Sequence, residues 1–249
     1  MTARRVAIWV LLAVLGGGVA VVFALDLEQA TWSGHKYAGN FDVVAYYLVQ
    51  HTRFTIIAMV LGTSVSLPLA YLAVRRPGTY PVLLSATNVL YAIPSLALFI
   101  LLGTWIGFLN DRPIVIAMAL YSLIILVRNI VEAVRSAPQS AVQAAEGMGY
   151  RPLAQFVRVE LPLALPGIVA GLRLATVSTV SLISVGALIG RGGLGRLFTD
   201  GRRRSIAAEL WSGVISIVAL ALLLDALLLL AGRLATPWLR ADASGWSKA

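Results

Sequence analysis

Of 249 residues, 59% are hydrophobic and 12% charged, about half the charge of an ordinary soluble domain; mean hydropathy is +0.86. So little charge cannot cover a soluble fold, so the bilayer is the natural solvent, and the length leaves no room for an added soluble catalytic domain. The net charge of +9 sits mostly beside apolar runs, with no basic stripe interleaved with aromatics to suggest nucleic acid, and the absence of cysteine excludes disulfides and zinc–thiolate sites.

Six membrane spans are predicted, giving an all-α membrane bundle over 1–249. Val6–Leu25 is uncharged, follows Arg4 and Arg5, and exceeds the apolar core of a cleaved signal peptide, so it reads as a retained first helix. Phe54–Val74 is the second span. Val82–Leu109 is long for one crossing and contains Asn88 and Pro94, so a kink or broken helix is expected at the Pro94-Ser95 step. Pro113–Val127 is a short fourth span whose ends Arg112 and Arg128 can snorkel. A polar interval, Ile130–Glu160, precedes the fifth span, Leu161–Gly190, which is interrupted by Arg173. The sixth runs from about Leu210 to Leu234 and contains Asp225. With both termini inside, eleven basic residues fall on cytoplasmic segments and eight on outer ones, a small positive-inside excess.

The interval between spans four and five carries the most information. Ala-rich Ser140–Glu146 favours a short helix, Gly147 and Gly149 permit a tight turn, and a second amphipathic helix follows, with Phe156, Val157, Val159 and Leu161 as its apolar candidates. Pro162 and Pro166 frame the start of the fifth span. Such a helix–turn–helix is a knob that can seat in a partner's cleft, or an amphipathic loop lying on the membrane. Gln143-Ala144-Ala145, Gly149 and the Val159-x-Leu161-Pro162 ending match, in spacing, the E-A-A-x3-G-x9-I-x-L-P loop of permeases of ABC importers, which this chain resembles. Gln143 replaces the leading Glu, with Glu146 three residues on, and Val159 replaces Ile. "AIPSLALFILLGTWIG", "ALYSLIILVRNIVEAV" and "LPLALPGIVAGLRLATVSTVSLISVGALIGRGGLG" are similar to the osmoprotectant branch of these permeases, over roughly His51 to Glu209.

The resemblance implies a permease domain that couples through a segment at about 132–162 to separate ABC ATPase subunits. It also implies an extracytoplasmic substrate-binding protein, a second permease subunit, and glycine betaine, choline, carnitine or proline as solute. Gln143, Ala144, Ala145, Glu146, Gly149, Val159, Leu161 and Pro162 are then the coupling residues. The sequence bears on this division independently. A P-loop needs a glycine-rich turn ending in lysine, and neither Lys36 nor Lys248 follows a glycine, so this chain is not expected to be the ATPase or any other enzyme. No cofactor is expected, and His35 and His51 stand alone, so neither is a metal site. Another small solute, an ion-coupled secondary transporter or a membrane scaffold are the competing readings.

Gly190-Arg191-Gly192-Gly193-Leu194-Gly195 matches a dinucleotide fingerprint, but a membrane-length apolar run precedes it instead of a strand. The four glycines, Gly190, Gly192, Gly193 and Gly195, are read as a turn-back in an outer loop at about 190–208, with Arg202-Arg203-Arg204 facing headgroups or an acidic partner. Arg173, about 16 Å along a helix from Pro162, and Asp225, about 12 Å before Arg233, reach similar depths on antiparallel spans and so can pair. Pro94, Ser95, Arg173, Asp225 and these glycines are the pathway and gating candidates. Tyr46, Tyr47, Tyr91, Phe99, Trp105 and Tyr121 offer faces to a quaternary ammonium, or serve as packing and interface aromatics.

Overall fold

The computed structural model describes residues 41–108 and 111–238, and every regular element among them is helical. In chain order these are α1 Phe41–Arg75, α2 Thr79–Ala92, α3 Ser95–Ile106, α4 Arg112–Arg135, α5 Gln139–Gly147 and α6 Pro152–Gln155. A π-helical turn, Phe156–Glu160, leads into α7 Leu161–Ile183, a 3-10 helix Ser184–Ile189, α8 Gly195–Arg204 and α9 Ala207–Ala235. The expected first span, Val6–Leu25, lies outside the described residues. Of the five other expected spans, four coincide with helical runs long and apolar enough to cross a membrane: α1, α4, the run Pro152–Ile189 and α9. The fifth is the α2–α3 pair, where the chain bends by 90° at its break. The protein is a multi-pass helical membrane protein.

The break falls where the residue types require it. Pro94 holds φ −56° and ψ 134°, and the proline ring pushes the residue before it out of helical geometry. Elsewhere several hydroxyls of these apolar helices are satisfied within their own helix. Thr55 and Ser64 donate to the carbonyls of His51 and Val60, at 2.9 and 2.7 Å, which spares those two hydroxyls an unpaired place in lipid.

Two expected boundaries are corrected. The fourth span was expected to end at Val127, yet α4 continues to Arg135. Asn129 donates to the Ile125 carbonyl at 2.7 Å and Arg128 pairs with Glu132 one turn on at 2.9 Å, so these polar residues extend the helix. Its buried face of Val127, Ile130, Val131 and Val134 continues unbroken. The second helix of the interval after it, expected to stop before a proline-framed span, instead runs on into that span, helical from Pro152 to Ile189. The wider π-helical turn lies just before Pro162, where the proline ring crowds the preceding turn and removes a hydrogen bond.

Contacts group the chain into two compact units whose boundaries fall inside the long helices. One comprises residues 59–92, 120–175 and 225–238. Its core is Leu126, Val127, Ile130, Val131, Phe156 and Ile168. In this unit α7 packs closely on α4: a Cβ placed on Gly167 would lie 2.6 Å from that of Ala133, and one on Gly171 2.5 Å from that of Asn129. Small residues let helix backbones approach where lipid supplies no hydrophobic drive between helices. The other unit comprises residues 41–58, with 93–119 and 176–224. Val180, Leu194, Leu197 and Leu220 form its core, with Val43, Val44, Tyr47 and Ile217 packed around them.

Candidate functional site: the helix–turn–helix before the fifth span

The segment from Gln139 to Glu160 is built as the sequence suggested, with a different inner face. α5 ends in an αL turn. Gly149 takes φ +77°, Tyr150 N–H donates to the Ala145 carbonyl at 3.1 Å, and Gly149 N–H donates to Glu146 at 2.9 Å. This pair of bonds satisfies the last carbonyls of a helix and favours a residue without Cβ at the turn. Gly147, also read as a terminator, is the last residue of α5 and has no positive φ. Pro152 then opens α6 at a position where its missing N–H costs nothing.

Ala145, Gln155, Phe156 and Glu160 face inward, each no more than 3% exposed. The Phe156 ring packs edge-on against Tyr71, centroids 5.0 Å apart. The expected apolar face of Phe156, Val157, Val159 and Leu161 is thus corrected. Val157 is 52% exposed, and the buried set is completed by Gln155 and Glu160. Outward, Met148 and Leu153 are 69% and 60% exposed, beside exposed Gln143, Ala144 and Glu146. Exposed apolar side chains rimmed by polar groups are the composition that interaction surfaces share. Glu146, considered as a stand-in for the glutamate missing at Gln143, meets Gln155 Nε2 at 3.4 Å.

Glu160 is the charged residue that sequence reasoning missed here. Its Oε1 accepts from Arg75 Nη2 at 2.8 Å and from Gln155 Nε2 at 3.0 Å. Arg75 Nη2 also donates to the Pro152 carbonyl at 2.9 Å. In sequence Glu160 looks like a solvated residue of a surface helix; only the packing of α1 against this segment reveals its burial.

The glycine-rich stretch is the second site. The 3-10 helix ends at Gly190 in left-handed geometry, and Gly192 and Gly193 take φ 134° and 53°. A Cβ on Gly193 would lie 2.7 Å from that of His51, and one on Gly195 2.9 Å from the Ser184 Cα. The chain therefore doubles back tightly against the 3-10 helix. The dinucleotide reading fails because a helix, not a strand, leads into these glycines. Arg191 is held to Asp111 at 2.8 Å. The expected outer loop of 190–208 is largely helical: Leu194, Leu197 and Gly201 give α8 a buried face at helical spacing, and Arg202-Arg203-Arg204 form its last turn, where cations suit the helix dipole. Arg204 stands 3.6 Å from Glu209.

Among the described residues no group of His, Cys, Asp and Glu surrounds His51 as metal ligands would; the side chain is held by packing instead. It is fully buried, and its Nε2 donates to the Val180 carbonyl at 3.0 Å.

Arg173 and Asp225 are brought together, as their depths suggested. Nε and Nη2 of Arg173 donate to the two carboxylate oxygens of Asp225, both at 2.7 Å. Pro94 is exposed and Ser95 half-buried at the start of α3. The aromatics pair among themselves: Tyr91 with Tyr121 and Tyr46 with Tyr47, each edge-on with centroids 5.4 Å apart. Phe99 is buried and Trp105 is 85% exposed, the latter as an interface aromatic would be.

Comparison with known proteins agrees with this architecture. Residues 62–241 match the family model described as binding-protein-dependent transport system inner membrane component. The osmoprotectant import permease protein OsmW of Salmonella typhimurium is 36% identical over 201 residues, 78% of this chain and 92% of the relative. The choline transport system permease protein OpuBB of Bacillus subtilis is 29% identical over 80% of this chain and 91% of its own length. Among solved structures, an inward-facing conformation of the MetNI methionine ABC transporter is similar in fold, with a TM-score of 0.62 at 21% identity, covering 76% of this chain and 92% of that chain. The family match covers well over half the chain and includes both sites described above. The chain belongs to the binding-protein-dependent transport system inner membrane components.

Proposed function

We propose that the chain forms the membrane pathway of an ATP-driven importer for osmoprotectants, small quaternary-amine or zwitterionic solutes. It would work with two ABC ATPase subunits, a second permease subunit that is the same or a homologous chain, and an extracytoplasmic substrate-binding protein. Family membership and the permease relatives named for osmoprotectant and choline transport support the solute class. The observation that carries the coupling role is the Gln139–Glu160 element, which is anchored inside by Ala145, Phe156 and Glu160 and offers Met148, Leu153 and Val157 outward. On this reading Gln143, Ala144, Ala145, Glu146, Gly149, Val159, Leu161 and Pro162 form the coupling segment, which lies on the cytoplasmic side with both termini in the cytoplasm. Closure of the ATPases moves it, and because its π-helical turn runs unbroken into α7, that helix moves with it. Access then alternates between two states, with the energy supplied from outside this chain. Pro94, Ser95, the Arg173–Asp225 pair and Gly190, Gly192, Gly193 and Gly195 are assigned to the pathway and its gating. The ergothioneine transport permease/ergothioneine binding protein EgtU of Helicobacter pylori, 38% identical over 57% of this chain and 26% of its own length, favours a second reading in which the solute is a small molecule outside the osmoprotectant class.

The test is ligand binding by the cognate binding protein across glycine betaine, choline, carnitine, proline and ordinary amino acids, followed by uptake through the reconstituted complex. Tight binding and uptake of a quaternary amine is expected. Selection of an ordinary amino acid alone would refute the solute class.

A further inference from the structure

The hydrogen bonds beneath the α5–α6 element lead one step further and rest on the docking role just proposed for it. Arg75 is the last residue of α1. Through one nitrogen, Nη2, it holds both ends of the stretch Pro152–Glu160: the Pro152 carbonyl at 2.9 Å and the Glu160 carboxylate at 2.8 Å. Gln155 donates to the same Glu160 oxygen at 3.0 Å. Its Nε2 also reaches Glu146 of α5 at 3.4 Å. The Arg75 guanidinium lies 5.7 Å from the Tyr71 ring centroid, and Tyr71 packs on Phe156. One side chain of α1 thus touches the segment at its start and its end, beside the Tyr71 ring that packs on its aromatic anchor.

The pairing is incomplete. Glu160 Oε2 and Arg75 Nε are both buried without a hydrogen-bond partner. Glu160 is 3% exposed, and a buried carboxylate with one oxygen unpaired is costly. A guanidinium and a carboxylate have a better arrangement available, the side-on fork in which Nε and an Nη nitrogen each meet one oxygen. Arg173 makes this fork with Asp225 elsewhere in the same unit.

We propose that Arg75 is the positioning residue that ties the docking element to α1, exchanging the single-oxygen contact seen here for a side-on pair with Glu160 as the element moves. The segment is continuous with α7, so a pull on it reaches that helix through the backbone. The C-terminal end of α1 is distant in sequence, and the Arg75–Glu160 ion pair is its charged link to the same motion. Losing that link leaves docking and hydrolysis in place while separating them from solute movement.

The test uses the full complex of permease, ATPase subunits and binding protein in vesicles, measuring solute moved per ATP hydrolysed. Arg75→Ala and Arg75→Lys are expected to keep the ATPase bound and ATP hydrolysis active. Solute moved per ATP should fall roughly fivefold or more, the usual size of a coupling between sites. Lysine keeps the charge but cannot make the fork. The double variant Arg75→Glu with Glu160→Arg should recover part of the loss. An unchanged ratio in Arg75→Ala overturns the proposal. So does loss of the ATPase from both Arg75→Ala and Arg75→Lys, which would make the contact a support for the segment's fold. Absence of the ATPase from the unmodified complex would instead sink the docking role.

Discussion

Arg173 of α7 and Asp225 of α9 meet through two parallel hydrogen bonds of 2.7 Å, the side-on geometry in which both carboxylate oxygens are used. Around them Gly232 of α9 sits against Val169, where an added Cβ would fall 2.6 Å from Val169 Cγ1. Close packing by a small residue and a charge pair therefore fix the same antiparallel register. Each makes the other easier, because the glycine brings the helices near enough for the side chains to meet without extending.

A lone charge at the centre of a membrane helix costs roughly 2.5–3.5 kcal/mol. Pairing offsets that cost, because each charge has the other as its partner at 2.7 Å. Arg173→Ala and Asp225→Ala should each reduce the folded yield in detergent and lower transport, and the double alanine variant should do less harm than the sum of the two. The exchange of Arg173→Asp with Asp225→Arg should recover transport. Failure of every double variant to recover would show that the two act separately.

Gly149 is the turn residue on which the docking element depends. Forcing a residue with a Cβ into its left-handed conformation costs roughly 1–2 kcal/mol. Gly149→Ala should weaken ATPase co-purification, and Gly149→Pro, whose ring fixes φ near −65°, should abolish it. Neither should alter membrane insertion. Met148→Glu and Leu153→Glu, which leave the turn intact and change only exposed positions, should weaken co-purification as well. Retention of the ATPase by all four would place the contact elsewhere.

Gly193 is limited by a neighbour as well as by its own φ of 53°. Gly193→Ala would drive a methyl into the Cβ and backbone of His51, so a drop in thermal stability is expected that His51→Ala, which keeps those atoms, does not relieve. His51→Ala alone also removes the bond to the Val180 carbonyl and should lower the melting temperature of the detergent-solubilised protein. A melting temperature unchanged in both would mean that the glycine turn contributes nothing to how this unit is held.

What the sequence revealed and what it concealed divide along a physical line. The Pro94 break, the Gly149 turn and the shared depth of Arg173 and Asp225 follow from local backbone rules or from distance along a helix. Glu160, His51 and the helical character of α8 were not legible in the same way. Glu160 is buried by α1, and the His51 contact joins residues 129 positions apart. Four glycines and a triple arginine looked like a loop, whereas Leu194 and Leu197 are fully or almost fully buried and make a helix of it. The extension of α4 was hidden because Asn129 and Glu132 read as loop polarity, although one bonds the backbone and the other a residue a turn away.

The most direct measurement is solute uptake into vesicles containing this permease, with and without the ATPase subunits, in the presence of loaded binding protein. The account predicts uptake only when the ATPases and ATP are both present, unaffected by collapsing ion gradients. Uptake at full rate without the ATPases, or uptake that disappears with an ion gradient while ATP remains, would contradict it.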